Sequence, residues 1–561
     1  MVVTPVSSSA QYLNNEKELR DLLSEIKSFV EGLNDLENVQ MVEEEELEKW
    51  ARRYGRITVF NNVNFCTNVR NRSAPLTVYI GSERVLQRSL NERQRKIIEE
   101  APQTLEKVFR YLEKAPIVYV KRRMCDNPEF TPNCHFYLSV YKEEHVRLAY
   151  MFSKLLFRGE GAGPEMYLID VPEWLEIHRQ ILVFPEIGVT FVLGSDYFGE
   201  VKKGFLRMAM WFAKQRGMLG LHAGAKIARV RGKDGRLRKY GVLIFGLTAT
   251  GKTTHTCHNH GLEGDGEGCE IMQDDVVFLK EDGSALGPER SFFVKTDSLT
   301  PETQPILYAA ATSPDAILEN VMVDYKGEVH FHDETLTGNG RGIILREHLG
   351  SYATKSVNLP PASELDGLVF LFITRRNTVL PIASKLTLEQ GAAAFMLGES
   401  IESSGGDPRR AGESVRVVGT NPFIVGDETE EGNIFYEILR KNRDKVQCYL
   451  LNTGGVGEIL ETLEDGRKVV KQKVLRVEIP EMAAIIRGIL RGTIEWRKDD
   501  YFNVLVPSKV EGVDMSKFDL KKFYTEQQIK EYVKKLRKER EEYIKQFIGL
   551  HEDIVKAAIT M

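Results

Sequence analysis

Apolar positions recur at helical spacing near the start of the chain. Leu19, Leu22, Leu23, Ile26, Phe29, Val30 and Leu33 share one face, which predicts an amphipathic helix over 14–33. The acidic run 43–46 that follows is expected on a solvated helix face. The pattern turns to β over 56–80, first through Ile57, Val59 and Phe60 and later through Leu76, Val78, Tyr79 and Ile80. Between these runs lies a polar loop, 68–75, that carries Arg70 and Arg72. Helical spacing returns over 85–114, and from 116 to 195 short apolar runs alternate with turns. A helix through Phe205, Met208, Ala209 and Phe212 is expected to end near Gly217.

The second half reads as strands separated by tight turns. Residues 240–245 form a buried strand, preceded by a hairpin signal at Lys233-Asp234-Gly235. An apolar strand over 270–278 is interrupted by Asp274 and Asp275, and Asp282-Gly283 marks another hairpin. Residues 285–345 are turn-rich, 368–373 is a buried strand, and a further strand ends at 450–457. The stretch 525–547 predicts a charged amphipathic helix opened by a Thr525-x-x-Gln528 capping box. No internal repeat or low-complexity linker interrupts the chain.

Composition narrows the possibilities. At 561 residues two or three domains are expected, and 42% hydrophobic with 28% charged residues is ordinary for a soluble globular protein. A net charge of −5 gives no footprint for nucleic acid. The longest aliphatic run, 368–373, is far too short to span a membrane, and residues 1–10 lack a signal-peptide layout. Six scattered cysteines without C-x-x-C point to a reducing compartment, so the cytoplasm is expected.

The candidate chemistry centres on Gly246-Leu247-Thr248-Ala249-Thr250-Gly251-Lys252-Thr253-Thr254. It fits G-x-x-x-x-G-K-[ST] directly after a strand, the context in which backbone N–H groups wrap a polyphosphate. Lys252 would reach the β/γ-phosphates and the Thr253 hydroxyl a Mg²⁺. Asp274-Asp275, downstream, lies where a metal-binding strand end belongs. The glycine clusters at 264–268, 338–342 and 454–457 give no G-x-G-x-x-G between strand and helix. His255, His258 and His260, with Cys257 and Cys269 nearby, match no standard zinc spacing and are expected on the helix after the loop and in its following turn.

Taken in order, these segments resemble the ATP-type phosphoenolpyruvate carboxykinase family. Tyr197-x-Gly199-Glu200-x-Lys202-Lys203-Gly204 resembles Y-x-G-E-M-K-K-G, and Leu221-His222-Ala223 resembles the start of M-H-C-S-A. Gly246–Thr254 resembles G-L-S-G-T-G-K-T-T, Asp274-Asp275 falls on G-D-D-E, and Lys295-Thr296 resembles Y-A-K-T. Thr337–Arg341 resembles T-E-N-T-R, and Asn452-Thr453-Gly454 the late N-T-G. The resemblance implies an α/β, two-domain P-loop carboxykinase-like fold with mixed sheets and flanking helices. Residues 1–225 would form an oxaloacetate/phosphoenolpyruvate-binding domain, and 226–561 a nucleotide-binding domain with a mobile lid near 379–387. It implies decarboxylation of oxaloacetate and phosphorylation of the enolate by ATP. Arg72 and Tyr197 would hold oxaloacetate, with Arg70 as the rival of Arg72. Lys203, His222 and Asp275 would ligate Mn²⁺, and Thr253 would hold Mg²⁺. Lys252, Lys295 and Arg341 would spread positive charge around the phosphoryl, with Lys203 and Arg341 also meeting the substrate.

The sequence departs from the family at Ala249, where a glycine is usual, and at 263–270, which looks inserted. GTP or pyrophosphate as donor, another P-loop phosphotransferase on the same scaffold, and a non-catalytic nucleotide-binding protein all stay open at this point. Monomer and small homo-oligomer are both compatible with the sequence.

Overall fold

Hydrophobic patterning becomes a set of mixed α/β layers. In the computed structural model all residues are described except 1–15, 86, 88–89, 176–178, 248–249, 298, 402–412 and 463–467. The chain packs into two compact units that interleave along the sequence. One comprises 1–220, 286–350 and 423–427, and the other 221–285, 351–422 and 428–561. The division by motif at 225/226 does not foresee that 286–350 packs with the first unit.

In the first unit the predicted helix runs Glu16–Glu31 and buries Leu19, Leu22, Ile26 and Val30. The long helix Glu92–Leu112 starts at a capping box on Asn91 and Gln94, which satisfies otherwise orphaned N–H groups. Both helices pack into the core that covers a seven-stranded mixed sheet. The acidic run does begin a helix, Glu44–Ala51, but Glu44 turns inward. It meets Lys154 at 3.1 Å and Arg122 and Arg158 at 3.2 Å each, so its setting is an ion-pair network and not a solvated face. A separate five-stranded sheet orders Phe292–Lys295, Arg341–Ile344, Ile317–Glu319, Val63–Phe65 and Arg56–Ile57.

The second unit is built on an eight-stranded mixed sheet. Its centre is three parallel strands, Leu237–Gly246, Gly367–Thr374 and Val446–Asn452, nearly continuous in apolar residues because both faces are covered. Ala223–Arg231 pairs antiparallel with Leu237–Gly246 through the expected hairpin, where Gly235 takes φ +76°. The stretch near 379–387 contains a further strand, Ala383–Leu386, paired with Val446–Asn452. The last long helix, Glu526–Ile544, opens on the Thr525/Gln528 capping box. No described helix is long and apolar enough to cross a membrane.

Candidate active site

In an α/β sheet the carboxyl ends of parallel strands are where ligands gather, and in the second unit the glycine-rich loop leaves from such an end. Gly246 closes its strand, and Gly251, at φ +98°, turns the chain into the short helix Lys252–Cys257. The loop is pinned from a neighbouring strand end, where the Thr453 hydroxyl donates to the Thr250 carbonyl at 2.6 Å. Thr250 also folds back on Leu247, N–H to carbonyl at 3.2 Å and hydroxyl to carbonyl at 2.7 Å. Thr253 and Thr254 are half-buried on the first turn of the helix. Thr248 and Ala249 lie outside the described residues.

Asp274 and Asp275 follow the strand Gly268–Gln273 and precede Val277–Leu279, so the expected interruption by the two carboxylates is a break between two strands. Lys252 Nζ donates to Asp275 Oδ1 at 2.9 Å and to its carbonyl at 3.3 Å. His222 lies against the same carboxylate oxygen, with Nε2 at 3.1 Å. Its other nitrogen, Nδ1, is 2.6 Å from the Thr420 carbonyl, which can only accept, so Nδ1 carries a proton. With Nδ1 so occupied, Nε2 is the nitrogen turned to the Asp275 carboxylate oxygen, and in the neutral ring a cation shared by the two would sit between lone pair and carboxylate. These nitrogen and oxygen donors suit a divalent ion. Among the described residues no group of three or more His, Cys, Asp and Glu side chains could hold a metal.

The first unit gathers the remaining predicted residues in two places. In the five-stranded sheet Lys295 pairs across to Arg341, and Arg341 to Glu319. The three therefore lie in one row on one face. Like charges directly opposite destabilise a sheet, and here Asp297 lies 2.6 Å from Lys295 Nζ. Glu319 is fully buried, 3.4 Å from Arg147, and accepts from the Phe198 N–H at 3.2 Å. Burial pushes its carboxyl up to about 7, with Arg147 pulling the other way.

The second place is the loop after Val63–Phe65, held by carboxylates just before and in the first turn of helix Phe198–Lys214. Asp196 accepts from the N–H groups of Asn68 and Val69 at 2.8 and 2.9 Å, and Glu200 accepts from that of Ser73 at 3.0 Å. Asn339 bridges loop and helix, donating to the Arg70 carbonyl at 2.7 Å and to the Tyr197 hydroxyl at 3.1 Å. Arg72 Cζ and Lys203 Nζ each lie 4.5 Å from the centroid of one ring, Phe423. Arg70 is exposed. Burial lowers the Arg72 guanidinium pKa, and the Glu200 carboxylate opposes it.

Sequence reasoning missed Asp196, Glu200, Asn339, Thr420 and Phe423. Glu200 stands inside a quoted motif and Asn339 inside another, which was the available signal; Phe423 and Thr420 had none.

A sequence profile described as phosphoenolpyruvate carboxykinase matches residues 34–516. A phosphoenolpyruvate carboxykinase (ATP) of Aeropyrum pernix is 34% identical over 413 residues, 73% of this chain and 77% of that protein. Proteins of the same name from Rhodopseudomonas palustris and Leptospira biflexa are 29% and 30% identical, over 63% and 58% of this chain and 62% and 56% of theirs.

Proposed function

The chain belongs to the ATP-type phosphoenolpyruvate carboxykinase family, and we propose that it uses the residues above to decarboxylate oxaloacetate and phosphorylate the resulting enolate from ATP. The observation that carries this reading is the meeting of Lys252, Asp275 and the proton-fixed His222 behind the glycine-rich loop. A loop that only bound nucleotide would have no use for a histidine whose Nε2 is turned to the carboxylate that Lys252 also meets.

The nucleotide half follows from residues 246–254. Backbone N–H groups of the loop take the β- and γ-phosphates, and Lys252 moves its charge from Asp275 to the phosphate oxygens. That exchange leaves the Asp275 oxygen facing His222 Nε2. His222 and Asp275 would hold a divalent ion, Mn²⁺, with Lys203 as a further ligand through its uncharged amine. Thr253 would hold Mg²⁺ on the phosphates. When bound, these ions supply Lewis-acid stabilisation of developing oxygen charge.

The acceptor half rests on the first unit. Arg72 and Tyr197 would orient oxaloacetate through its carboxylate, and Asn339 fixes the Tyr197 hydroxyl for that task. Support for Arg72 over Arg70 comes from its place beside Lys203 on Phe423. Breaking the bond to the departing CO2 leaves its electron pair on the enolate, whose oxygen attacks the γ-phosphorus as ADP leaves. Arg341 and Lys295, paired across two strands, would spread positive charge over the phosphoryl oxygens. The first unit would thus serve oxaloacetate and the second the nucleotide. Unpaired thiols at all six cysteines fit the cytoplasm.

The test supplies oxaloacetate, Mn²⁺ and Mg²⁺ with ATP, GTP or pyrophosphate in parallel and follows phosphoenolpyruvate. Product is expected with ATP, and none with any donor refutes the reading. Product only with GTP or pyrophosphate would keep the acceptor chemistry and overturn the donor.

A further inference from the structure

Behind the nucleotide loop lies a buried cluster that the reaction above does not use. Lys226 sits in the middle of strand Ala223–Arg231, fully inaccessible to solvent, between partners Val242 and Ile271 on the flanking strands. Its amine donates to the His255 carbonyl at 2.6 Å and the His258 carbonyl at 3.0 Å, and lies 2.6 Å from His260 Nε2, a ring nitrogen that is itself 3.1 Å from the His255 carbonyl. Two carbonyls and an imidazole nitrogen thus surround the amine, while burial pulls its pKa down from the usual lysine value. Burial and the lysine's own charge keep the imidazoles of His255 and His260 neutral, the former pushed down to about 3 and the latter well below its usual value. The histidines, which match no standard zinc spacing in sequence, are thus ordered around the Lys226 amine.

Two further features show that this arrangement is built. His260 takes φ +58°, a left-handed conformation that side chains other than glycine avoid, and its N–H is held by His258 Nδ1 at 2.8 Å. Gly224, two residues before Lys226 and so on the same face of the strand, lets Thr256 approach. A Cβ there would lie 2.1 Å from the Thr256 hydroxyl. The Thr256 hydroxyl in turn donates to the Lys252 carbonyl at 2.8 Å. A helix of only six residues, Lys252–Cys257, does not hold itself in water.

We propose that the Lys226 amine, through its hydrogen bonds to the His255 and His258 carbonyls, clamps the end of the loop helix and so positions Lys252 and Thr253 for the nucleotide phosphates. Lys226 is a positioning residue, and the strand that presents it follows directly on His222. One strand therefore sets both the histidine facing Asp275 and the helix that carries Lys252. This inference rests on the nucleotide assignment made above.

Calorimetric titration with ATP and Mg²⁺ tests it in wild type, Lys226→Met and His260→Asn, the last because asparagine tolerates positive φ while losing the reach of Nε2. Lys226→Met is expected to weaken ATP binding at least tenfold and His260→Asn about threefold or more, with the KM for oxaloacetate within twofold of wild type. In Lys226→Ala, added methylammonium should recover most of the lost ATP affinity and do nothing to wild type. ATP affinity within twofold of wild type in either folded variant overturns the proposal, as does equal loss of ATP and oxaloacetate affinity or no rescue by the amine. If Lys226→Met does not fold, His260→Asn decides. A wild type that binds no ATP refutes the nucleotide assignment itself; a wild type that binds it while the variants match it refutes only the clamp.

Discussion

One oxygen of Asp275 faces both the Lys252 ammonium and His222 Nε2, at 2.9 and 3.1 Å. His222→Ala removes one donor and leaves the loop intact. Mn²⁺ affinity, followed by the loss of the free-ion paramagnetic signal, should fall at least tenfold while ATP affinity stays within about twofold; unchanged Mn²⁺ binding would take His222 out of the metal site. Glu319 gives a second test, in stability. Its carboxyl is pushed up to about 7 in the folded chain, above the ordinary value near 4.3 in an unfolded one. The folded state binds this proton more tightly, so the contribution is complete below about pH 4.3 and disappears as pH rises through about 7. At about 1.36 kcal/mol per pKa unit the whole swing is at most about 3 to 4 kcal/mol. Glu319→Gln abolishes it, so the melting temperature of the variant relative to wild type should rise between pH 5 and pH 8. A difference independent of pH would contradict the burial of an ionisable carboxyl at this position.

Among the elements, the loop after Val63–Phe65 owes its shape to groups from elsewhere: Asp196, Glu200 and Asn339. Asn339→Ala deletes two hydrogen bonds worth about 1 kcal/mol each, and should raise the KM for oxaloacetate several-fold with little change in that for ATP. A rise in the ATP term instead would show that Asn339 serves the other substrate. The short helix Lys252–Cys257 depends on Gly224 in the same way. Gly224→Ala drives a methyl against Thr256 and should lower ATP affinity more than it lowers melting temperature. The legibility of these elements differs for physical reasons. The strand, glycine turn and Lys-Thr-Thr were readable because their chemistry is contiguous in sequence. The row Lys295–Arg341–Glu319 was not, since it exists only once strand register is fixed. Glu44 was misread because a run of acids looks solvated until three basic side chains from other elements are known to meet it. Phe423, where Arg72 and Lys203 converge, carries no local mark at all.

At the scale of the whole molecule, the chain leaves its first unit at Gly220, returns for 286–350, and comes back once more for five residues, 423–427. The returns carry residues of the proposed site: 286–350 brings Lys295, Arg341 and Asn339, and the five-residue return brings Phe423. A boundary set by motif order alone cannot see such returns, because nothing in the local pattern of 286–350 distinguishes its short strands from those around it. The family's reaction joins two chemical events in one turnover, loss of CO2 and transfer of the γ-phosphoryl, and the molecule must couple them. Phosphorus magnetic resonance of a single mixture of oxaloacetate, ATP, Mn²⁺ and Mg²⁺ reads that coupling directly. Phosphoenolpyruvate and ADP should accumulate in equal amounts, matched by released CO2. ADP with inorganic phosphate, or CO2 with pyruvate and intact ATP, would contradict it.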